Sequence, residues 1–443
     1  MINVFKSITQ IRLDDHKSQA SEADVLTIDE NKIASIFIPA VSPNGAGIDI
    51  FVKEGEQVSV GTLIGRRRDF YVPIFSSVSG VVKGRVSRHN PLVGRATEHL
   101  EIANDFKKTR AEPLKTISFD SDPKDIIAAI KEAGIVGLGG AGFPTYFKYE
   151  NSTNIDTVII NGVECEPYLS TDYKLLQYHA LDVIKGSELL RLAAQANTAI
   201  IVLKKNKTAL VEVLKKHLED FPHMVIRLVQ DIYPMGWERA LVKRILNRTY
   251  NDFPKEAHVI VNNVATAMAT AQALLKGEPL THRTITISGN AITQAVNIRA
   301  PIGTPISQIV EEVGGYTTDE VIAFTGGPMT SRPVSDDSYV LQASMNGYTA
   351  VKPVSYHSVP CLRCGACNAA CPAGIQPIEI KLALDSNNTD RLMKLNVNRC
   401  VECGICSYVC PSFIEVADAV IRAKIRVRLQ NAKSEIAKKG AVK

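Results

Sequence analysis

Eight of the nine cysteines in this 443-residue sequence fall into two sets with one spacing. Both sets read C-x2-C-x2-C-x3-C followed by proline, which is the ligand spacing of paired 4Fe-4S clusters. The sets are Cys361, Cys364, Cys367 and Cys371, then Cys400, Cys403, Cys406 and Cys410. Three thiolates on a tight loop can hold one face of a cluster, while the fourth, on the following helix, reaches the other cluster. We therefore predict one cluster on Cys361, Cys364, Cys367 and Cys410, and a second on Cys400, Cys403, Cys406 and Cys371.

Zinc is the alternative occupant of these cysteines, because C-x2-C pairs also occur in structural zinc sites. Zinc needs four ligands and no trailing Cys-Pro, so the spacing favours iron–sulfur clusters and one-electron transfer. The ninth cysteine, Cys165, lies between Glu164 and Glu166, whose carboxylates disfavour a thiolate. We expect Cys165 to be a small packed residue rather than a nucleophile or redox thiol.

A glycine-rich segment, GIVGLGGAGFPTYFKY at residues 134–149, contains G-x-G-x-x-G at Gly137, Gly139 and Gly142. A dinucleotide fingerprint leaves a strand and opens a helix. Here a helical pattern precedes the loop and Pro144 interrupts the next helix, so a structural turn is the simpler interpretation. Such a loop still lets the backbone approach a phosphate or a flat ring, with Lys148 placed to offer a charge.

The elements that must position these residues fall into successive segments. Residues 1–32 are polar and predict a loosely ordered lead-in. Residues 33–110 hold short β runs between glycines and prolines, which predict a small all-β unit. Residues 111–282 alternate apolar strands with amphipathic helices, a pattern that predicts a parallel sheet covered on both faces. Residues 283–350 predict a small α+β unit, and residues 351–425 hold the cysteines.

Composition and charge exclude several classes of protein. A net charge of +5 and 6% aromatic residues do not predict a nucleic-acid binder. We find neither an apolar run of the roughly 18 to 20 residues that span a membrane nor a signal peptide, and the cysteine spacing is not that of a secreted disulfide framework. We therefore predict an intracellular protein. Residues 411–443 hold eight basic and three acidic side chains, so the helical tail at 426–443 is either a solvated helix end or a contact with an acidic partner or membrane surface.

Four motifs in order resemble the NADH-oxidising subunit of respiratory complex I. They are the glycine loop, NGVECEP at 161–167, YPMGWERAL at 233–241 and VNNVAT at 261–266. With two ferredoxin motifs after them, residues 33 to 425 resemble the C subunit of the Rnf electron-transport complex more closely. The resemblance implies a multidomain α/β and α+β chain: a barrel-sandwich (lipoyl-like) unit, a Rossmann-like flavin domain, a soluble ligand-binding β-grasp (SLBB) domain and an α-helical two-cluster ferredoxin-like domain. The β-grasp domain is either a spacer or a ligand site.

The resemblance also implies an oxidoreductase that passes electrons from NADH through non-covalent FMN to the two clusters. Carried over by position, the residues around FMN would be Gly137, Gly139, Gly140, Lys148, Asn161, Glu164, Asn263 and Thr266. Phe143 would stack on the adenine of NADH, and Glu166 and Glu238 would lie near NADH. Amides and a lysine suit the flavin phosphate, and asparagines and carboxylates suit ribityl and ribose hydroxyls. No side chain would act as an acid or base.

The partners that the resemblance implies are membrane subunits of an Rnf-type complex, with a ferredoxin or flavodoxin reached through it. The location would be peripheral, on the cytoplasmic side of the membrane. Two alternatives stay open. One is a soluble carrier like cobalamin reductase or the reductase-associated type, although the cobalamin reductases place the glycine loop before the β unit. The other is a relay or assembly module that does not bind NADH, which Leu138 and Trp237 favour because they depart from the family pattern.

Overall fold

The structure is a computed structural model that describes residues 11–150 and 152–440, and side chains outside 433–440. Contacts divide the chain into two compact units. The larger unit comprises Asp14–Asp231 and Met235–Pro353. The smaller unit holds both cysteine sets and comprises the chain from Val354 onward, together with Ile232–Pro234 and residues 11–13.

The segment before residue 33 is more ordered than the sequence predicts. It forms helix α1 (Ser18–Glu22), strand β1 (Leu26–Thr27) and a 3-10 turn (Glu30–Lys32). Lys17 and Ala20 are buried, and β1 pairs in parallel with residues 298–299. The expectation of a loose lead-in is therefore wrong from Lys17 onward, because a mostly polar segment still buries side chains. Residues 1–10 lie outside the described part of the chain.

The predicted all-β unit forms two antiparallel sheets, in the orders β2-β8-β7-β4 and β3-β5-β6. Alternate side chains of β2 point inward, and Ile36 and Ile102 are fully buried. Both belong to a core shared with Ile285 and Tyr348 of the β-grasp domain, so the two domains pack as one body. The strands are β2 (Ser35–Pro39), β3 (Ile48–Ile50), β4 (Gln57–Val58), β5 (Leu63–Arg67), β6 (Pro73–Phe75), β7 (Gly80–Asn90) and β8 (Arg95–Asn104).

The next domain is a parallel sheet in the order β11-β10-β9-β12, with helices packed on it. The strands are continuous apolar runs, which is typical of strands buried on both faces. The predicted covered parallel sheet is confirmed. Its elements are α2 (Pro123–Glu132), α3 (Thr145–Glu150), β9 (Thr157–Asn161), α4 (Thr171–Tyr178), α5 (Ala180–Ala194), β10 (Thr198–Lys204), α6 (Thr208–Lys215), β11 (Met224–Val229), α7 (Glu238–Leu246), a 3-10 turn (Pro254–Ala257), β12 (Val259–Asn263) and α8 (Val264–Lys276).

The β-grasp domain is a mixed sheet in the order β1-β14-β13-β17-β15-β16, so the early strand β1 forms one of its edges. Its one helix, α9, packs Ile306, Ile309 and Val310 into the core of this domain. The elements are β13 (His282–Ser288), β14 (Val296–Pro301), α9 (Ile306–Glu312), β15 (Ile322–Phe324), β16 (Pro333–Val334) and β17 (Gly347–Val351).

The smaller unit is helical around the cysteine loops. Its helices are α10 (Ala366–Ala369), α11 (Pro377–Asp385), α12 (Thr389–Lys394), a 3-10 turn (Val397–Arg399), α13 (Ile405–Tyr408) and α14 (Val416–Gly440). Helix α14 continues without a break through position 426, so the predicted boundary between cluster domain and basic tail is not a structural one. Among the helices described, none is both long and apolar enough to cross a bilayer.

Candidate functional site

Two asparagines meet at the carboxyl edge of the parallel sheet. Asn161 ends β9 and Asn263 ends β12, and the two residues are partners in the strand ladder. The order of the strands reverses between β9 and β12, and open α/β sheets bind ligands at such switch points. Asn263 also caps α8, because its side-chain oxygen accepts the N–H of Ala265 at 2.8 Å. The amide-rich N-terminus of α8, a helix of 13 residues, therefore opens at the same edge.

The glycine loop lies against this edge. The N–H of Leu138 donates to the hydroxyl of Thr266 at 3.0 Å. A Cβ atom at Gly139 would stand 3.1 Å from the Cβ of Asn263, so glycine permits the close approach. Gly140 has a φ angle of +117°, a backbone conformation that residues other than glycine rarely adopt. The loop therefore joins α2 to α3 and reaches over the start of α8, an arrangement that differs from the strand–loop–helix order of a dinucleotide fingerprint.

A cavity of about 310 Å³ opens beside the loop, and Lys148 and Glu238 both line it. The ammonium of Lys148 donates to the carbonyl of Val261 at 2.7 Å. Burial lowers the pKa of Lys148, and the charge of Glu238 opposes that shift. Glu238 also accepts the hydroxyl of Tyr250 at 3.0 Å. A mostly apolar cavity with Lys148 and the exposed Lys255 in its lining suits a flat ring that carries a phosphate.

Aromatic side chains form one wall of this cavity. Phe143, which the resemblance places near adenine, packs edge-on against Phe70 at 5.6 Å and Phe147 at 5.7 Å between ring centres. Phe147 and Phe253 line the cavity too, and the sequence analysis missed both. Phe147 lies on α3 but Phe143 lies two residues before that helix begins, so helix periodicity did not link the two. Phe253 lies in a loop, where no spacing indicated it.

The three residues of the ECE motif have separate surroundings. Glu166, expected near NADH, accepts the N–H groups of Met329 and Thr330 at 2.8 and 3.1 Å, and so holds a loop of the β-grasp domain. A role toward NADH stays a prediction for this residue. Cys165 packs on Gly236, where a Cβ would lie 2.8 Å from its sulfur. Burial, and next the charge of Glu166, raises the pKa of the Cys165 thiol, which agrees with the expectation of a packed cysteine rather than a nucleophile.

Buried charges behind the glycine loop form a network that joins Glu164, which the resemblance places near FMN, to Asp172 and Arg283, which the sequence analysis missed. The carboxylate of Glu164 accepts the N–H of Asp172 at 2.8 Å, and the carboxylate of Asp172 accepts the side-chain amide of Asn263 at 2.6 Å. Arg283 from the β-grasp domain, 2% exposed, donates to the carbonyl of Leu138 at 3.0 Å. Burial, and next the charge of Glu164, raises the pKa of Asp172 to about 8. These contacts fix both an edge asparagine and the loop, and no sequence spacing relates residues 172 and 283.

The two cysteine loops repeat one backbone conformation. Each has a left-handed residue two positions after its first cysteine and a left-handed glycine after its second: Arg363 and Gly365, then Glu402 and Gly404. In each loop the N–H of the first left-handed residue donates to the sulfur of the first cysteine at 3.4 Å. Hydrogen bonds to ligand sulfurs are one means by which proteins tune iron–sulfur clusters. The loops therefore fit thiolate ligands.

The packing associates the fourth cysteine of each set with the other set. One small cavity is lined by Cys371, Cys400, Cys403 and Cys406. Burial raises the pKa of Cys403 to about 12 against a backbone hydrogen bond from Ile405, and the neighbouring Cys371 adds to the rise. Cys410 is likewise a neighbour of Cys367. Within the described part of the chain, no three His, Cys, Asp or Glu side chains are gathered closely enough for a single metal ion. The placement of Cys371 beside the second set and of Cys410 beside Cys367 agrees with the crossed assignment, which stays a prediction.

The two sets differ in exposure. Cys361 and Cys364 of the first set are exposed, whereas Cys371 and Cys406, both assigned to the second cluster, are buried. A buried cation lies beside the second loop, because Lys424 donates to the carbonyl of Cys400 at 2.7 Å. The first cluster would therefore lie near solvent, and the second would lie in a drier setting beside the ion pair of Lys424 and Glu402.

Comparisons with protein families follow the same domain order. The RnfC barrel-sandwich hybrid domain matches residues 7–107, the Nuo51 FMN-binding domain 130–272, the SLBB domain 284–333 and the 4Fe-4S dicluster domain 360–414. The predicted fold class is confirmed. The fold and its two sites define a flavo-iron–sulfur electron-transfer protein, with FMN and two 4Fe-4S clusters as cofactors.

Relatives narrow the class further. The C subunit of the ion-translocating oxidoreductase complex of Rhodobacter capsulatus is 31% identical over 399 residues, which cover 86% of this chain and 75% of that protein. The C subunit of the Na(+)-translocating ferredoxin:NAD(+) oxidoreductase complex of Acetobacterium woodii is 31% identical over 367 residues, 80% of this chain and 82% of that protein. The chain belongs to this family, the C subunits of ion-translocating oxidoreductase complexes, as its motifs predict. An NAD+-reducing [NiFe]-hydrogenase in the air-oxidised state shares the fold, with a TM-score of 0.50 and 18% identity over 68% of this chain and 60% of that chain.

Proposed function

We propose that this chain takes electrons from NADH at FMN and delivers them, through its two clusters, to the other subunits of an ion-translocating complex. The observation that carries the proposal is the edge where Asn161 and Asn263 lie side by side under the glycine loop. When bound there, FMN would accept a two-electron hydride and release electrons singly, and the clusters would carry single electrons.

The side chains at this edge already present the donors that such a ligand needs. Lys148 donates to Val261 and Asn161 donates to the carbonyl of Gly236 at 2.8 Å. The FMN phosphate would replace the neutral Val261 carbonyl as the acceptor for Lys148 and form a charge-assisted hydrogen bond. A ribityl hydroxyl would likewise accept the side-chain amide of Asn161 in place of the Gly236 carbonyl. Phe143 and its aromatic neighbours would keep water from the ring.

The partners in this proposal are membrane subunits, with a ferredoxin or flavodoxin reached through the complex, and the chain lies peripherally on the cytoplasmic face. Exposed apolar side chains near the first cysteine loop support a docking role. Leu362 is 67% exposed and Tyr356 is 63% exposed and stacks on Phe413. Exposed apolar clusters of this kind mark interaction sites. An acceptor docked here would approach the cluster that lies nearer to solvent.

The test is anaerobic mixing of the reconstituted protein with NADH while the visible flavin and cluster absorbance is followed. We expect flavin bleaching followed by cluster reduction. Lys148→Met should weaken FMN binding about ten- to hundredfold, the range for a lost charged hydrogen bond. Lys216→Met, an exposed lysine on the same domain, is the matched control and should bind FMN normally.

Two results would contradict the proposal in different ways. Bound flavin that NADH does not bleach would support the relay that has lost NADH binding. Efficient transfer from the bleached flavin to free cobalamin would support the soluble reductase instead. The order of domains disfavours the soluble cobalamin reductase, because the barrel-sandwich match precedes the FMN-binding match in this chain.

A further inference from the structure

A second cavity lies where the barrel-sandwich, flavin and β-grasp domains of the larger unit meet. Its volume is about 420 Å³, and its lining includes none of the residues predicted to hold FMN or NADH. Small-molecule pockets typically have volumes of about 300 to 1,000 Å³, so this one is large enough for a metabolite. The first domain contributes Arg110, the second Lys276 and the third Arg299. Each of the three domains therefore contributes a cationic side chain to the lining of this cavity.

The balance of charge in this lining is positive. Arg110, Lys276, Arg283 and Arg299 face two acids, Glu112 and Glu278. Lys276 is compensated by Asp182 at 2.8 Å, and Arg110 lies only within 3.8 Å of Glu278. The Glu30 carboxylate, which also faces this region, is engaged by His282 at 3.4 Å and Lys108 at 3.7 Å.

Arg299 is the least compensated of these cations. Its side chain, which a ligand can reach from solvent, makes no ion pair or hydrogen bond with any residue that the structure describes. Partial burial lowers its pKa, and the charges of Glu30 and Glu278 only partly offset that effect. A guanidinium kept partly from water without a bonded acceptor gains free energy when a carboxylate or phosphate supplies one.

The cavity also contacts the glycine loop from behind. Leu138 lines it, and Arg283 lines it while donating to the Leu138 carbonyl at 3.0 Å. An anion near Arg283 would hold that side chain in place and, through it, the loop that lies over Asn263. An anion that tightened FMN binding through Arg283 would itself be bound more tightly when FMN is present, because such coupling is reciprocal.

We propose that this junction cavity binds a small anion of the phosphate or carboxylate class, with Arg299 as its main contact and Arg110 as a second. Occupancy tightens FMN through Arg283 and the glycine loop. The site does not rest on the proposed electron transfer, because its lining is separate from the predicted flavin residues.

The test is calorimetric titration of the full-length, FMN- and cluster-loaded protein with pyrophosphate, citrate and ADP as separate probes. These probes distinguish a simple phosphate, a carboxylate and a nucleotide as the source of the charge. We expect at least one to bind, with an affinity that falls at least tenfold in Arg299→Gln. Arg227→Gln, an exposed arginine on strand β11, is the control and should bind as the parent does.

Three outcomes decide the proposal. Binding lost in Arg299→Gln and kept in Arg227→Gln supports it. Absence of binding for all three probes overturns it, as does binding that Arg299→Gln leaves unchanged, since that places the probe elsewhere. The coupling is tested by the rate at which FMN dissociates after dilution. The anion that binds should slow FMN dissociation from the parent protein and not from Arg299→Gln. An equal rate with and without that anion in the parent would show that the two sites are not coupled.

Discussion

The cysteine loops and the glycine-loop edge, the two proposed cofactor sites, are built differently from the chain. Each cysteine set lies within eleven residues of sequence, and both loops use the same left-handed positions. The edge of the sheet combines a loop at 137–142 with Asn161, Glu238 and Asn263, and Arg283 donates to the loop from behind. A site made of adjacent residues is fixed by local backbone geometry, whereas a dispersed site is fixed by the packing of whole domains.

The contrast predicts different responses to substitution. Each predicted thiolate ligand would bond a cluster directly, so losing one should remove the cluster that it serves. At the sheet edge each side chain supplies one of many weak contacts, so losses there should be graded.

The largest effect is expected at Cys371. If the crossed assignment holds, Cys371→Ala removes the second cluster, and iron falls from about eight to about four atoms per chain. The electron paramagnetic resonance spectrum of the remaining cluster should then match that of Cys403→Ala rather than that of Cys364→Ala. Cys165→Ala is the control and should keep its iron. A spectrum like that of Cys364→Ala would show that each set serves its own cluster.

The next effect is expected at Arg283. Arg283→Gln removes a charged donor from the carbonyls of Leu138 and Met345, which it bonds at 3.0 and 2.9 Å. We expect FMN affinity to fall about tenfold, because the loop loses its support but keeps its own contacts. Fluorescence titration with FMN measures this, with Arg227→Gln as control. Arg283→Lys should recover part of the affinity, and equal affinity in all variants would show that the glycine loop needs no support from the β-grasp domain.

A smaller effect concerns pH and Asp172. Its pKa is raised from the ordinary 3.8 to about 8, so between these values the folded chain keeps a proton that the unfolded chain loses. The folded state binds more protons, and this contribution to stability therefore falls as pH rises, by at most about 1.4 kcal/mol per pH unit for one proton. The loss is complete once the pH passes the raised pKa of Asp172.

The measurement is the melting temperature of the larger unit between about pH 6.5 and 8, above the ordinary pKa of histidine. In Asp172→Asn the melting temperature should fall less steeply with rising pH than in the parent, because the asparagine side chain does not titrate. The control is Asp220→Asn, an exposed aspartate. Identical slopes in the parent and Asp172→Asn would place the titration elsewhere.

The smallest effect is expected at Lys424 in the smaller unit. This lysine is 7% exposed and bonds both the Cys400 carbonyl and Glu402 at 2.7 Å. A nearby positive charge stabilises the electron on a reduced cluster, so Lys424→Gln should lower the potential of the second cluster by tens of millivolts, on the order of magnitude that local charge produces. Redox titration followed by paramagnetic resonance measures it, with Arg422→Gln as control. A shift confined to the first cluster would reverse the assignment of the two environments.

The same contrast explains how much the sequence could predict. Cysteine spacing indicated clusters because thiolate ligands on one loop must follow the local backbone. Strand and helix periodicity likewise predicted β9, β12 and α8, whose ends place Asn161 and Asn263. Asp172 and Arg283 could not be predicted, because their roles arise only when distant segments pack and bury their charges. The burial of Lys17 could not be predicted for the same reason, because nothing in its polar segment indicated that this lysine would be buried against Glu164.

Strand β1 has a consequence for how the protein is made. Leu26 pairs with Ile298, about 270 residues later in the chain. At synthesis rates of roughly 5 to 20 residues per second, the N-terminal strand leaves the ribosome on the order of tens of seconds before its partner exists. The β-grasp sheet is thus the last of the three domains in the larger unit to be completed, and its closure joins residues 26–27 to a stretch translated after the whole flavin domain. A truncated product that stops before residue 298 would leave β1 without its partner strand and expose its unpaired backbone N–H and C=O groups.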